Sequence, residues 1–357
     1  MTSVVDLPQA IERLDAPTRE IARRIFRVDA YTGRLEAPPE MEAWIVKLFG
    51  SLDAVREQRI VRVTNLVTLE GALFNELRAR RPMEVKGGDE VRKTIDSSVG
   101  DPFCDPDTGT PADTFGRVAG KHGTSVSNVA KYDGFHGVLV FREHDPLAPV
   151  SAEVLADHLA TARAWAERAH AADPLARYYF LMWNALWRAG GSIVHGHMQM
   201  TVTRGMHYPK VEALRRQALA YAAACGRDYL DDLWLVHEAL GLGADAGGAR
   251  AFAYLTPVKE REVMIVGRAG EDERALAGAI ASALGALRAQ GVVAHNMAAY
   301  VPPLAPDGED WSRFAPVARL VDRGDPANRT SDIGAMELYA ASVVASDPYR
   351  VADALRG

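Results

Sequence analysis

The sequence predicts an α+β fold, an antiparallel sheet with packed helices, built from two related halves. Two observations carry this. The first half reads strand, helix, strand, strand, and the second repeats that grammar loosely as strand, strand, helix, strand. A helical stretch near residues 205–245 separates them. Residues 1–205, with a helical N-terminal extension, form the half that carries the candidate active site, and residues 206–357 form the other. No sequence identity between the halves is visible; the order of elements alone relates them.

Apolar residues at helical spacing in "QAIERLDAPTREIARRIF" and "MEAWIVKLFGSLDAV" make the first 60 residues read as helical. "LFNELRARRPMEV" closes on a basic cluster and a proline, the mark of a strand or loop end. "VGDPFCDPDTGTPADTFG" (99–116) is dense in Asp, Pro and Gly and reads as loop. "FHGVLVFREH" (135–144) is short, β-branched and bounded by glycine and charge, as a buried strand is. Ser151 then caps a helix whose first turn carries Glu153 and whose apolar stripe runs Leu155, Leu159, Ala162, Trp165, Ala166, Ala169. "ARYYFLMWNAL" and "SIVHGHMQMTV" follow as strands. In the second half "RAFAYLTP" and "REVMIVGR" read as paired strands. A helix follows with Leu276, Ile280, Leu284 and Leu287 on one face, and "VVAHNMAAYVPPL" is a further strand.

Composition excludes several classes. At 357 residues, 48% hydrophobic and 25% charged, the chain has the balance of an ordinary soluble globular protein. A net charge of −6 argues against nucleic acid as a general partner, although local basic clusters could still hold small anions. Two cysteines, Cys104 and Cys225, make no disulfide framework, which makes a cytoplasmic location the expectation. No apolar run reaches membrane-spanning length, and "MTSVVDLPQAIERLD" lacks a signal pattern, so no membrane role is expected.

The stretch that carries chemistry is "NALWRAGGSIVHGHMQM", residues 184–200. His195, His197 and Gln199 alternate, which on a strand puts them on one face, with Val194, Met198 and Met200 on the other. Three polar groups in such a row are a site, a wet edge strand, or a His pair for a metal.

The rest of the chain supports a site, because His-x-His-x-Gln resembles the active-site strand of the galactose-1-phosphate uridylyltransferase family, a branch of the histidine-triad superfamily. Asn184 stands thirteen residues before His197, as the family's Asn does before its second His. "GGS" (190–192) leads into the triplet, "RARRP" gives an Arg-x-x-Arg-Pro element at Arg78 and Arg81, and His144 stands at a strand exit about fifty residues upstream. The resemblance covers residues ~70–200 well. Beyond them it extends to the "YVPPL" stretch and the closing helix.

That resemblance implies a nucleotidyltransferase. His197 would attack the α-phosphorus of a nucleotide sugar and keep the nucleoside monophosphate, and a sugar 1-phosphate would then accept it. A neutral imidazole suits this role near pH 7, because its ordinary pKa is about 6.5, and the adduct splits one hard displacement into two. Gln199 would hold the phosphoryl group. In the hydrolase branch a third His stands there to protonate the leaving group, and a leaving phosphate with a second pKa of about 6 scarcely needs one. Asn184 and Ser192 would position phosphate oxygens, Arg78 and Arg81 would neutralise them, and Asn128 and Lys131 would contact the nucleoside. A homodimer is also implied.

Family members often carry a structural zinc on a Cys-x-x-Cys, the strand-exit His and the first His of the triplet. Here "DPFC" puts Asp101 in the first position, so Asp101, Cys104, His144 and His195 form the implied ligand set. The family's second metal site, a His-x-His before "YPP", finds no match, since His295 in "HNMAAYVPP" stands too early. "SDIGAMELYA" (331–340) resembles the sugar-contacting segment without aligned Lys, Tyr and Glu, so galactose does not follow as substrate. Three alternatives stay open: a phosphorylase that uses inorganic phosphate to cleave a nucleotide sugar or dinucleoside polyphosphate, a non-catalytic nucleotide sensor, and a zinc hydrolase.

Overall fold

The structure, a computed structural model, describes residues 2–75, 77–78, 89–246, 249–328 and 330–357. Alternating apolar positions and short β-branched runs build thirteen strands among the described residues. These are β1 (Phe26–Arg34), β2 (Glu57–Asn65), β3 (Gly71–Phe74), β4 (Gly123–Ser127), β5 (Phe135–Phe141), β6 (Ala176–Ala185), β7 (His197–Arg204), β8 (Gly243–Ala246), β9 (Ala249–Ala253), β10 (Val263–Val266), β11 (His295–Tyr300), β12 (Val317–Asp322) and β13 (Ser342–Val344). Nine of them form one sheet in the order β4-β5-β7-β6-β11-β12-β10-β9-β8. Every neighbouring pair in it is antiparallel.

Within that order the duplication is explicit. The first half runs β4, β5, helix Ala152–Ala172, β6, β7 and lays its strands as β4-β5-β7-β6. The second runs β9, β10, helix Ala277–Ala289, β11, β12 and lays them as β9-β10-β12-β11. The two meet where β6 pairs with β11, with Asn184 opposite Asn296. The α+β class and its antiparallel sheet with packed helices are as the sequence predicts.

The two faces of this sheet differ. One is covered by the paired helices. Ser151 caps the first by accepting from the Val154 N–H, and the whole predicted stripe from Leu155 to Ala169 is buried. Met198, Met200, Leu181, Trp183, Met297 and Ala299 meet it from the strands. Gly137 on β5 must be glycine here, because a Cβ would lie 2.6 Å from the Trp165 ring. Alternation turns His136, Asn184, His197, Gln199 and Asn296 to the opposite face.

The N-terminal region departs from the sequence reading. Helices do form at Leu7–Glu12, Ala16–Ile25, Pro39–Phe49 and Leu52–Arg56, but β1 and β2 interrupt them. With β3 and β13 they make a second sheet, β1-β2-β3-β13, in which β13 runs parallel to β3. Its other tie to the C-terminal segment is Asp347, which accepts from the Ser3 hydroxyl (2.6 Å) and the Val4 N–H (3.0 Å). In the second half this opposite face is covered by the helix Tyr229–Ala239, whose Trp234 and His237 pack on Phe252, and by the end of β2 with the turn after it. Asn65 donates to Tyr229 (2.8 Å) and Tyr254 (3.1 Å), while Arg319 donates to Glu70 (2.6 Å) and to the buried Glu262 (2.5 Å). No helix among the described residues is long and apolar enough to cross a membrane.

Four buried histidines lose more to desolvation than any nearby acid returns. Burial pushes His158, His207 and His237 down to about 4 and His295 to about 3. His295 lies edge-on to Trp183 at 4.8 Å, and neither ring nitrogen has a partner among the described residues. In the unfolded chain these rings take a proton near pH 6.5, so below that pH the unfolded state binds more protons and stability falls. Each ring contributes up to about 1.4 kcal/mol per pH unit between pH 6.5 and its folded value. Urea unfolding from pH 7 to 4 is therefore expected to lose stability steeply, and His295→Leu is expected to shallow the slope by about one proton. An unchanged slope in that variant would remove His295 from the account.

Candidate active site

Two glycines turn the chain between β6 and β7. Gly190 ends the short Trp187–Ala189 turn with φ +92°, and a Cβ on Gly191 would lie 2.8 Å from the Asn184 carbonyl oxygen. The strand itself starts at His197, so His195 stands just before it rather than inside it. Both rings still face the same way, since Phe103 stands edge-on to His195 (6.0 Å) and to His197 (5.4 Å). Gly196 between them leaves no room for a side chain: its Cβ would lie 2.7 Å from Phe141 Cδ2.

Asp101, Cys104, His144 and His195 each offer one ligand atom, all within 4.8 Å of one another. His195 Nε2 donates to the Phe141 carbonyl (2.8 Å), and His144 Nε2 lies 3.2 Å from both the Ile95 carbonyl and the Ser98 hydroxyl. Each ring therefore carries its proton on Nε2 and turns an unprotonated Nδ1 inward. These two Nδ1 atoms are 3.1 Å apart. Lone pairs so close repel unless a cation lies between them. Cys104 Sγ is 3.4 Å from one and 3.6 Å from the other. Metal–nitrogen bonds of about 2.0 Å and metal–sulfur bonds of about 2.3 Å give tetrahedral edges of roughly 3.3 and 3.6 Å, close to this spacing. Asp101 Oδ1 accepts from the Phe103 and Cys104 N–H groups, and its Oδ2 is buried with no hydrogen-bond partner among the described residues. The donor set fits a divalent metal.

His197 is buried, and desolvation holds its imidazole below the ordinary value, hence neutral at pH 7. Its Nδ1 donates to the His195 carbonyl (2.8 Å), which leaves the lone pair on Nε2. Two strand positions on, Gln199 Oε1 accepts from the Tyr132 hydroxyl (3.1 Å) and from His136 Nε2 (3.0 Å). The Tyr132 N–H also reaches His136 Nδ1 (3.4 Å). With its oxygen so engaged, Gln199 presents its NH2 group to the open side. Asn184 is set similarly: Asn296 Nδ2 donates to its Oδ1 (2.6 Å), leaving its own NH2 to donate.

Other sequence candidates are placed less directly. Asn128 Nδ2 lies 3.0 Å from His136 Nε2, which puts it one contact from Gln199. Lys131 turns back into its own loop, donating to Ser127 Oγ (2.7 Å) and the His136 carbonyl (3.0 Å). Ser192 is exposed on the turn. Arg78 lines a separate cavity of about 960 Å³ with Gln58, Asn75 and Arg261, a lining that does not include His197. Arg81 lies outside the described residues. The sequence reading missed Phe103, Tyr132, His136 and Asn296. For His136 a signal existed: it shares the strand parity of Val138 and Val140, which pair with Gln199 and His197.

No family model matches the chain, and no curated protein matches it by sequence. Solved structures do match. An ADP-glucose phosphorylase from Arabidopsis thaliana, solved with bound ADP-glucose, superposes with a TM-score of 0.63 at 16% identity, covering 82% of this chain and 97% of that one. The fold is that of the uridylyltransferases. A GalT-like protein from Arabidopsis thaliana gives 0.61 at 17% identity over 82% and 97% of the two chains. A uridylyltransferase gives 0.56 at 17% identity over 69% and 87%. At such identities the likeness is one of fold, and at that level it agrees with the resemblance read from the sequence.

Metal analysis of purified protein is expected to find about one divalent ion per chain. Cys104→Ser should lose it and lower the melting temperature by several degrees, because a closed metal site contributes folding free energy. Protein grown with ample metal and found empty would exclude the site.

Proposed function

We propose that the protein is a nucleotidyltransferase that moves a nucleoside monophosphate from a nucleotide sugar to a sugar 1-phosphate through a covalent adduct on His197. One observation supports this above the others. The His195 carbonyl holds the proton of His197 on Nδ1, so a neutral Nε2 lone pair stands beside the donor amide of Gln199. The lone pair attacks the α-phosphorus, the bond to the bridging oxygen breaks, and the sugar 1-phosphate leaves. The imidazole then carries positive charge, which the His195 carbonyl stabilises through Nδ1–H. In the return step an acceptor phosphate oxygen attacks the same phosphorus and the P–N bond breaks.

The Gln199 and Asn184 amides would donate to phosphoryl oxygens as charge builds on them, an arrangement preorganised by Tyr132, His136 and Asn296. The metal, which we take to be zinc from its thiolate and imidazole donors, would be held by Asp101, Cys104, His144 and His195 away from the reacting atoms. When bound it supplies structural support to the loop and to the His195 backbone.

A second reading, a phosphorylase, is favoured by the ADP-glucose phosphorylase among the structural neighbours. It needs the same adduct with inorganic phosphate as acceptor, so one experiment addresses both. ADP-glucose and UDP-glucose, offered singly without acceptor, are expected to leave one nucleoside monophosphate on His197 by intact mass and peptide mapping. The adduct should be acid-labile and alkali-stable. Phosphate alone then discharges a phosphorylase, and a transferase waits for the sugar 1-phosphate. His197→Ala is expected to lose adduct and turnover, a cost of several kcal/mol in the barrier. Full activity in that variant would overturn the proposal. Tyr132→Phe removes one hydrogen bond from Gln199 and is expected to slow adduct formation by about 1 kcal/mol, roughly fivefold, checked by single-turnover kinetics.

A further inference from the structure

Asp101 and Cys104 reach the metal-ligand cluster from the two ends of a single turn. The Cys104 N–H donates to the Asp101 carbonyl (3.0 Å), the i to i+3 bond of a β-turn, which keeps the two Cα atoms within about 7 Å. Two cysteines in these places could close a disulfide, whose Cα atoms stand about 4.4–6.8 Å apart. A carboxylate cannot. The chain therefore offers the metal a single sulfur, and its other cysteine supplies no second one. Cys225 ends the helix Pro209–Cys225 with its Sγ turned to the Tyr221 carbonyl (3.0 Å).

Of the four ligands only Cys104 is exposed; Asp101 and His144 are half-buried and His195 is buried. A cavity of about 460 Å³ opens on Cys104, and its charged lining is Arg117, Arg142 and Asp107. Asp107 stands 3.6 Å from Arg117, which also donates to the Thr110 carbonyl (2.6 Å). Arg142 makes one long contact, to the Gly120 carbonyl (3.5 Å), and the neighbouring Glu143 turns back to the Asp145 N–H (3.0 Å). One guanidinium is thus left to meet a carboxylate beside the thiol. Behind the thiol, the Phe141 and Ile95 carbonyls hold the His195 and His144 rings, so the rest of the ligand set does not depend on Cys104 staying bound.

We propose that Cys104 undergoes thiol–disulfide exchange with a small anionic disulfide of the glutathione type, and that this exchange discharges the metal. The Cys104 thiolate attacks one sulfur of the disulfide. The new Sγ–S bond forms, the old S–S bond breaks, and one glutathione leaves as a thiolate that takes a proton from water. Cys104 is oxidised and that glutathione is reduced. The bonded Sγ has lost the negative charge that made it a ligand, so the ion keeps only Asp101 and two imidazoles and departs as a divalent cation. A second thiol at position 101 would attack the mixed disulfide, expel the remaining glutathione and close a 101–104 bridge. Asp101 stops the reaction one step earlier, and the modified state lasts until an outside thiol reverses it. None of this depends on an adduct at His197.

The full chain, loaded with zinc and mixed with excess glutathione disulfide, is read by intact mass, peptide mapping and a chromogenic chelator for released zinc. Wild type is expected to gain one glutathione at Cys104 and to release one zinc with it, about tenfold faster than any gain at the half-buried Cys225. Dithiothreitol should remove the glutathione and let zinc rebind, and Cys225→Ser should match wild type. Asp101→Cys should release zinc yet keep no glutathione, ending as a 101–104 disulfide. Zinc retained with Cys104 unmodified overturns the proposal, and so does glutathione at Cys104 with zinc still bound. A chain that takes up no zinc overturns it too. Glutathione that persists on Asp101→Cys refutes the part given to Asp101. If that variant fails to fold, wild type still decides: its glutathione must outlast removal of the free disulfide, and loss without added thiol refutes the proposal.

Discussion

A single carbonyl oxygen, that of His195, fixes the tautomer of His197 beside it. The same residue gives its side chain to the metal-ligand cluster, so the backbone that orients His197 is anchored at a point the metal would stiffen. Gly196 makes the link short, since any larger residue between the two histidines would meet Phe141. A metal held there would bear on His197 without touching it, through one peptide unit.

The same economy runs across the sheet. The duplicated helices cover one face of both halves, and only the first half keeps the other face open. In the second half that face is closed by the helix Tyr229–Ala239 and by Glu70 and Asn65 from the N-terminal region, with Arg319 buried between Glu70 and Glu262. Breaking that arrangement by removing one partner would leave an unpaired buried charge. A duplicated fold thus yields one site for two copies, the second copy having become a platform.

Much of this was legible because it is periodic. The stripe from Leu155 to Ala169 reports a helix face, and the spacing of His195, His197 and Gln199 reports a strand face; each is a local pattern that packing later uses. Asp101 was legible only through the position it takes before Cys104. The first sheet was not legible. β1 is exposed at most positions and mixes Arg, Asp and Thr, so no alternation marks it, and the helical runs on either side absorb it. His136 is a lone polar residue in an apolar strand and shows its role only through register with β7.

The parallel pairing of β3 with β13, with Asp347 gripping the segment around Ser3, bears on the order of synthesis. β3 leaves the ribosome long before its neighbour exists, and until residues 342–344 follow, the small sheet has an unpaired edge. Pairing across so great a sequence separation is slow even once the chain is complete. How long that edge stays open in the cell is first a matter of translation speed, and only afterwards of folding.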